Sequence, residues 1–208
     1  MKKLLFLGLI TVLITSCGGP RIYTDSAASN FTKNHRTLAI LPPRVSIPAQ
    51  RNIDAAAMRE QQRTESVNFQ NEMYSWLLKR RQQGRLTVEI QDVNETIAKL
   101  NRAGFYEERG ASMTPAELAE ALGVDAVLAS NYSLSKPMSQ GAAIAVGVLF
   151  GSFGATNKAD INLTLHDGKT GKMLWSYDHK ASGAFGSPSA LVDALMKNAS
   201  KKLPYNKN

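Results

Sequence analysis

One cysteine and three histidines are the first side chains of this chain to consider for catalysis or metal binding. Cys17 is the only cysteine in 208 residues, which excludes an internal disulfide and a cysteine-based zinc site. His35, His166 and His179 are far apart in sequence. The last two could face each other across a hairpin, but no acidic residue stands at metal-ligand spacing. The motifs of serine hydrolases, zinc metallopeptidases and calcium loops are absent, so the sequence predicts no metal, no cofactor and no enzyme activity.

Two short basic motifs are candidates for ligand binding. Gly168-Lys169-Thr170 matches the last residues of a phosphate-binding loop, but Leu163 stands where that loop requires glycine, and a hairpin turn explains the motif. Lys79-Arg80-Arg81 lies at the end of a predicted long helix, where the helix dipole favours cations. A solvated charged face is the simpler interpretation of that run, and contact with wall polymer or lipid is the alternative.

Cys17 directly follows a secretion signal. Lys2 and Lys3 form a basic start, and Leu4–Leu13 is an apolar run too short to span a bilayer. Ile14-Thr15-Ser16-Cys17 resembles the bacterial lipobox: a branched apolar residue, two small residues and a cysteine. The resemblance implies that residues 1–16 are removed and that the Cys17 thiol and its new amino group are acylated. Two or three acyl chains form a stable anchor, and this covalent lipid is the one non-protein group that we expect.

The residues after the cysteine favour the outer membrane. Gly18 and Gly19 follow Cys17. In the proteobacterial sorting rules that this pattern resembles, an aspartate at the first of these positions retains a lipoprotein in the inner membrane. No acidic cluster follows, which favours a periplasm-facing domain over surface export. Removal of the two N-terminal lysines lowers the formal net charge from +8 to +6, typical of a protein near anionic head groups or wall polymers. We expect no nucleic-acid partner.

The composition divides the chain into three parts. Residues 1–16 are the signal peptide, and residues 17–36 are the acylated cysteine and a tether that is small, polar and without apolar periodicity. A flexible tether of about twenty residues has an r.m.s. reach of about 25 Å. Residues 37–208 have the size of one domain with its own core.

Apolar periodicity predicts alternating strands and helices in this domain. The predicted strands are 37–41, 86–90, 124–129, 160–165 and 173–179, and the predicted helices are 53–83, 92–102, 114–123 and 187–203. In the long helix, Val67, Phe69, Met73, Trp76 and Leu77 fall near one stripe.

Local signals support the element boundaries. Thr114 can cap a helix that has Pro115 at its first position, and Glu117 can reach back to the cap amide. Residues 167–171 carry turn residues between two strands. The order of elements predicts one α/β sandwich with a mixed β-sheet and flanking helices, in which the hairpin forms the antiparallel side.

Three segments, in order, resemble the CsgG-like (curli-secretion lipoprotein) superfamily, which includes outer-membrane lipoproteins that activate peptidoglycan synthases. They are Leu38-Ala39-Ile40-Leu41-Pro42, the helix–strand junction at residues 119–128 and the hairpin at residues 165–175. Pro43 stands where that family often has an aromatic residue. The resemblance implies an outer-membrane lipoprotein with envelope proteins as partners.

Residues 141–155 are the most unusual part of the mature chain. The segment is continuously small and apolar, and it lacks the polar alternation of the membrane hairpins found in pore-forming members of that superfamily. Ala143, Gly147 and Gly151 recur every four residues, a spacing that lets helices approach closely, and Phe150 is the large apolar residue beside them. The segment either covers the domain's own sheet or contacts a membrane or a second subunit through these four residues.

These observations predict a membrane-anchored, non-enzymatic lipoprotein that acts as an envelope assembly or secretion accessory, or as a protein-binding module. The alternative is a subunit of a ring-forming outer-membrane secretion channel, which self-associates. Both place the lipid on Cys17 in the outer membrane.

Overall fold

The computed structural model describes residues 19–48, 54–107, 112–135, 157–183 and 187–207. In chain order the elements are β1 (Arg21–Thr24), α1 (Ala28–Thr32), β2 (Thr37–Ile40), β3 (Arg44–Ser46), α2 (Ala55–Gln82), β4 (Glu89–Ile90), α3 (Val93–Arg102), α4 (Pro115–Leu122), β5 (Ala126–Leu134), β6 (Asn157–Asp167), β7 (Met173–Gly183), α5 (Pro188–Ala199) and a 3₁₀ turn (Ser200–Lys202).

Side chains cap the N-termini of α2, α3 and α4, close to the predicted starts of these helices. Asp54 and Asp92 accept hydrogen bonds from the first backbone amides of α2 and α3. The predicted capping box is confirmed, because Thr114 and Glu117 bond each other's backbone amides at the start of α4. Gly123 ends α4 in the left-handed region at φ 65°, which a side chain would strain. Two predicted elements are shorter than expected: the strand at 86–90 contracts to β4, and the last helix ends at Ala199.

The described strands form one mixed sheet in the order β1-β7-β6-β5-β2-β4, and β3 pairs with β5. β2 runs parallel to both β4 and β5, whereas β5, β6, β7 and β1 pair antiparallel. The β6–β7 hairpin is therefore on the antiparallel side, and the predicted α/β sandwich with a mixed sheet is confirmed.

The central strands are buried on both faces. On one face, Leu38 and Ile40 join a large core under α2 and α5, which contribute Phe69, Met73 and Leu191. Ala39 and Val127 point the other way, into a smaller core with α3 and α4. On α2, Phe69, Met73 and Leu77 are buried as predicted, but Val67 is 38% exposed. Val67 lies outside the stripe because Phe69, Met73 and Leu77 repeat every four residues.

The prediction of a tether over residues 17–36 is wrong from Arg21 onward. Arg21–Thr24 pairs with β7 as an edge strand, Asp25 accepts a hydrogen bond from Lys172 at 2.9 Å, and Ala28 is 2% exposed. The segment lacks apolar periodicity because an edge strand of four residues is held by backbone hydrogen bonds to its neighbour, which leave no pattern in the sequence. The domain therefore begins at about Arg21, not at residue 37.

The two ends of the sheet are distinct. The turn end carries the starts of β2 and β5 and the end of β6, with Ala126 opposite Asp167. The other end, which we call the proximal end, carries Leu134 opposite Ala159, and the chain enters β1 from that direction. α2 ends at the turn end, because Arg85 and Leu86, just after it, pair with the C-terminal residues there.

Candidate functional site at the turn end

A buried histidine joins three distant parts of the chain at the turn end. Nε2 of His35 lies 2.9 Å from Oδ1 of Asp167, and Nδ1 lies 2.7 Å from the hydroxyl of Tyr205. The His35 and Asp167 side chains are 5% and 6% exposed. Because the carboxylate only accepts, Nε2 carries a proton, and in the neutral ring Nδ1 accepts from Tyr205. We call His35, Asp167 and Tyr205 the histidine clamp.

The electrostatics of the clamp fix the protonation states of its carboxylate and its phenol. Burial by itself raises the pKa of Asp167, but hydrogen bonds from Thr170 and His35 outweigh it and bring the pKa below the usual range. Burial, together with the negative charges of Asp125 and Asp167, raises the pKa of Tyr205 far above its ordinary value. The carboxylate therefore stays ionised and the phenol stays neutral at physiological pH.

The hairpin turn is docked against the neighbouring strand starts. Asp125 accepts hydrogen bonds from the amides of Arg36 and Thr37 at 2.8 and 2.9 Å, and its own carbonyl accepts from the Gly168 amide at 2.8 Å. Burial by itself raises the pKa of Asp125, but the hydrogen bonds from those two amides outweigh burial and bring the pKa below the usual range. A Cβ at Gly168 would lie 2.8 Å from both Ala119 Cβ and the Asp125 carbonyl. Only glycine allows this approach.

A cleft of about 530 Å³ opens beside the clamp, between α1, α4 and the hairpin turn. Its lining includes Phe31, Glu120, Val124 and Lys169. The cleft can admit a small ligand. The clamp, however, offers it no free base, because both ring nitrogens of His35 are engaged and the Tyr205 hydroxyl is buried. The clamp holds three remote parts of the chain together. It differs from a catalytic triad, in which the nucleophile is open to substrate.

The face of β5, β6 and β7 opposite α2 carries a polar ladder. The Asn131 amide donates to Asn162 at 3.2 Å, and the Asn162 amide donates to Asp178 at 2.6 Å. A second cleft of about 520 Å³ lies along this face and reaches Arg21 and Lys180 near the proximal end. The ladder is exposed, so this face presents amide and carboxylate groups to solvent.

The structure separates the two histidines that the sequence predicted could face each other. His166 pairs with Met173, and its Nδ1 lies 3.2 Å from the Gly171 carbonyl, whereas His179 pairs with Ile161. That prediction is wrong because the hairpin register is fixed by the turn at residues 167–171. No group of three or more metal-ligating side chains occurs within the described ranges.

The interpretation of Gly168-Lys169-Thr170 as a turn is confirmed. The Thr170 amide and hydroxyl both donate to Asp167, at 2.7 and 2.5 Å, and Gly171 has a φ of 71°. The remaining predicted site residues, Cys17, Ala143, Gly147, Phe150 and Gly151, lie outside the described residues. Their roles stay predictions.

Sequence reasoning missed the histidine clamp. His35 is separated from Asp167 by 132 residues and from Tyr205 by 170, so no local spacing connects them. The available signal was indirect: His35 immediately precedes a buried strand, and Asp167 begins the hairpin turn. Both positions are at a strand end, where polar side chains can converge.

Among the residues that the structure describes, no helix is both long and apolar enough to cross a membrane.

Comparison with known proteins gives solved structures only. No protein-family model and no curated protein matches the chain. Similar structures include lipoprotein GNA1162 from Neisseria meningitidis, at 17% identity and a TM-score of 0.45 over 81% of this chain and 97% of that chain. The PelC dodecamer from Paraburkholderia phytofirmans has 9% identity and a TM-score of 0.42 over 91% and 99%. The LpoB C-terminal domain from Salmonella enterica has 14% identity and a TM-score of 0.34 over 72% and 82%. Bacterial lipoproteins are thus among the similar structures.

Proposed function

We propose that this protein is a non-enzymatic bacterial lipoprotein, anchored through acylated Cys17 in the outer membrane, whose periplasmic domain binds envelope proteins in assembly or secretion. The observation that carries the proposal is the run Ile14-Thr15-Ser16-Cys17 behind the apolar signal segment. The three ordered segments that resemble the CsgG-like superfamily support it, and membership of that superfamily is part of the proposal.

The start of β1 makes the anchor short. Arg21 follows Cys17 by four residues, which span about 14 Å at most. The chain enters β1 from the proximal end, so this end of the domain faces the membrane. A domain held this closely is suited to partners at the membrane surface and not to distant ones.

The proposal includes a contact role for residues 141–155, which lie outside the described residues. The strands that flank them, β5 and β6, leave and re-enter the sheet at the proximal end, where Leu134 pairs with Ala159. Ala143, Gly147, Phe150 and Gly151 are therefore proposed to contact the membrane or a second subunit.

The anchor is tested by replacing Cys17. Cys17→Ala should abolish incorporation of a labelled fatty acid and leave an unprocessed or soluble product, whereas Ser16→Ala, which keeps a small residue in the lipobox, should still be lipidated. Intact-mass spectrometry and membrane fractionation measure both. A Cys17→Ala product that is still processed and acylated would overturn the proposal.

The second candidate is a ring-forming secretion channel, favoured by the small residues every four positions in residues 141–155. Light scattering on the lipidated protein in mild detergent distinguishes the two. Closed rings that disappear when residues 141–155 are deleted would establish the channel. A monomer or dimer that is unchanged by the deletion would establish the anchored binding domain.

A further inference from the structure

A cluster of exposed cations covers part of the turn end. It is formed by the end of α2, the loop after it, the 3₁₀ turn and the C-terminal tail. We call Lys79, Arg85, Lys201, Lys202 and Lys207 the basic surface, and all five are exposed. None of them forms an ion pair with another described residue. Glu89, which begins β4 shortly after Arg85, is paired with Arg81.

The surface is assembled by tertiary contacts. The Lys207 amide donates to the Arg85 carbonyl at 3.2 Å, and the Thr87 amide donates to the Tyr205 carbonyl at 3.0 Å. These bonds hold the tail beside the loop that follows α2, so cations 116 residues or more apart in sequence lie together. Helix dipoles explain Lys79, Lys201 and Lys202, each near a helix end, but they do not explain Arg85 and Lys207.

A buried cation lies beneath the surface without a carboxylate. Arg80 is 6% exposed, stacks over Trp76 at 5.7 Å from the ring centre and donates to Asn206 at 2.7 Å. Its Nε is buried and has no hydrogen-bond partner among the described residues. Burial, with the positive charge of Arg85, lowers the pKa of Arg80. A buried cation beside other cations is a site that an external anion stabilises.

We propose that the basic surface binds the carboxylate-rich polymer of the cell wall. The choice of the cell wall as the partner rests on the proposed envelope function. The inference that this surface binds an anion rests only on the positions of the cations. The surface is opposite the proximal end, and α2, which runs between the two, is about 42 Å long. A domain anchored at its proximal end therefore presents these cations away from its own membrane, toward the wall.

The residue types favour a polymer over a folded protein. Four of the five cations are lysines, which are depleted at protein interfaces and act as flexible point charges. Repeated carboxylates on a polymer match such spaced charges without requiring a shaped pocket.

Sedimentation with purified peptidoglycan sacculi tests the proposal. The full lipidated chain in mild detergent should co-sediment at low salt and be released as salt is raised. The triple variant Lys201→Glu, Lys202→Glu, Lys207→Glu should bind about a hundredfold more weakly. The control Arg59→Glu, Lys158→Glu, Lys180→Glu makes the same charge change at exposed positions elsewhere and should bind as the wild type does. Thermal unfolding confirms that both variants fold.

Wild-type protein that stays in the supernatant, or an equal loss of sacculus binding in both triple variants, would overturn the proposal. It would also be overturned if the wild type binds phosphatidylglycerol vesicles and the Lys201, Lys202 and Lys207 variant loses vesicle binding as strongly as sacculus binding. Failure of the Cys17 test would remove the anchor without changing this assay, so the two failures are distinguishable.

Discussion

The two ends of the sheet are held together by different means. At the turn end, buried hydrogen bonds join residues from the beginning, middle and end of the chain, with His35 at the centre. At the proximal end, the Lys158 amide donates to the Ser135 hydroxyl at 3.0 Å, between exposed residues. Buried polar contacts between remote parts of the chain therefore support the end that carries the basic surface.

The largest expected effect is on the clamp. His35→Ala should lower the free energy of unfolding by about 3 kcal/mol, because it leaves the Asp167 carboxylate buried without its partner. Ser135→Ala at the proximal end should cost less than about 1 kcal/mol, since its bond is exposed. Urea unfolding measures both. Equal losses would remove the contrast between the two ends.

A smaller effect is expected from packing at the docked turn. Gly168→Ala places a Cβ 2.8 Å from Ala119 and from the Asp125 carbonyl, and should cost about 2 kcal/mol through overpacking. Gly19→Ala near the proximal end is the matched control, because no atom lies within 4 Å of its added Cβ. The melting temperatures of the Gly168→Ala and Gly19→Ala proteins, each compared with that of the wild type, test this prediction. A Gly168→Ala protein as stable as the control would show that the turn is not tightly docked.

The smallest expected effect is a dependence on pH. Asp167 and Asp125 have pKa values below the usual range in the folded protein, so the unfolded chain binds more protons in acid. Their contribution to stability is present above about pH 4, the ordinary range for aspartate, and is lost as pH falls through the folded values.

Unfolding midpoints between pH 7 and pH 3 measure this dependence. Asp167→Asn should reduce the acid slope, whereas Asp193→Asn, at an exposed position on α5, should leave it unchanged. An unchanged slope in Asp167→Asn would show that the clamp carboxylate does not control acid stability.

Elements with local signals could be predicted from the sequence. The α4 capping box depends on two residues three positions apart, and the β6–β7 turn depends on five consecutive residues. The predictions that are wrong concern features that depend on residues far apart in the chain. Residues 21–24 have the composition of a tether because the order of β1 comes from pairing with β7, about 150 residues away. The sequence allows His166 and His179 to face each other because it does not specify the hairpin register.

The α/β class, the caps and turns, and the prediction that Cys17 carries a lipid each follow from residues that are close together in the chain. The contacts of His35 with Asp167 and Tyr205, and the position of the tail lysines beside Arg85, become visible in the folded protein alone. These groupings depend on how the sheet and helices bring remote strand and helix ends to one place. No spacing along the chain records that geometry.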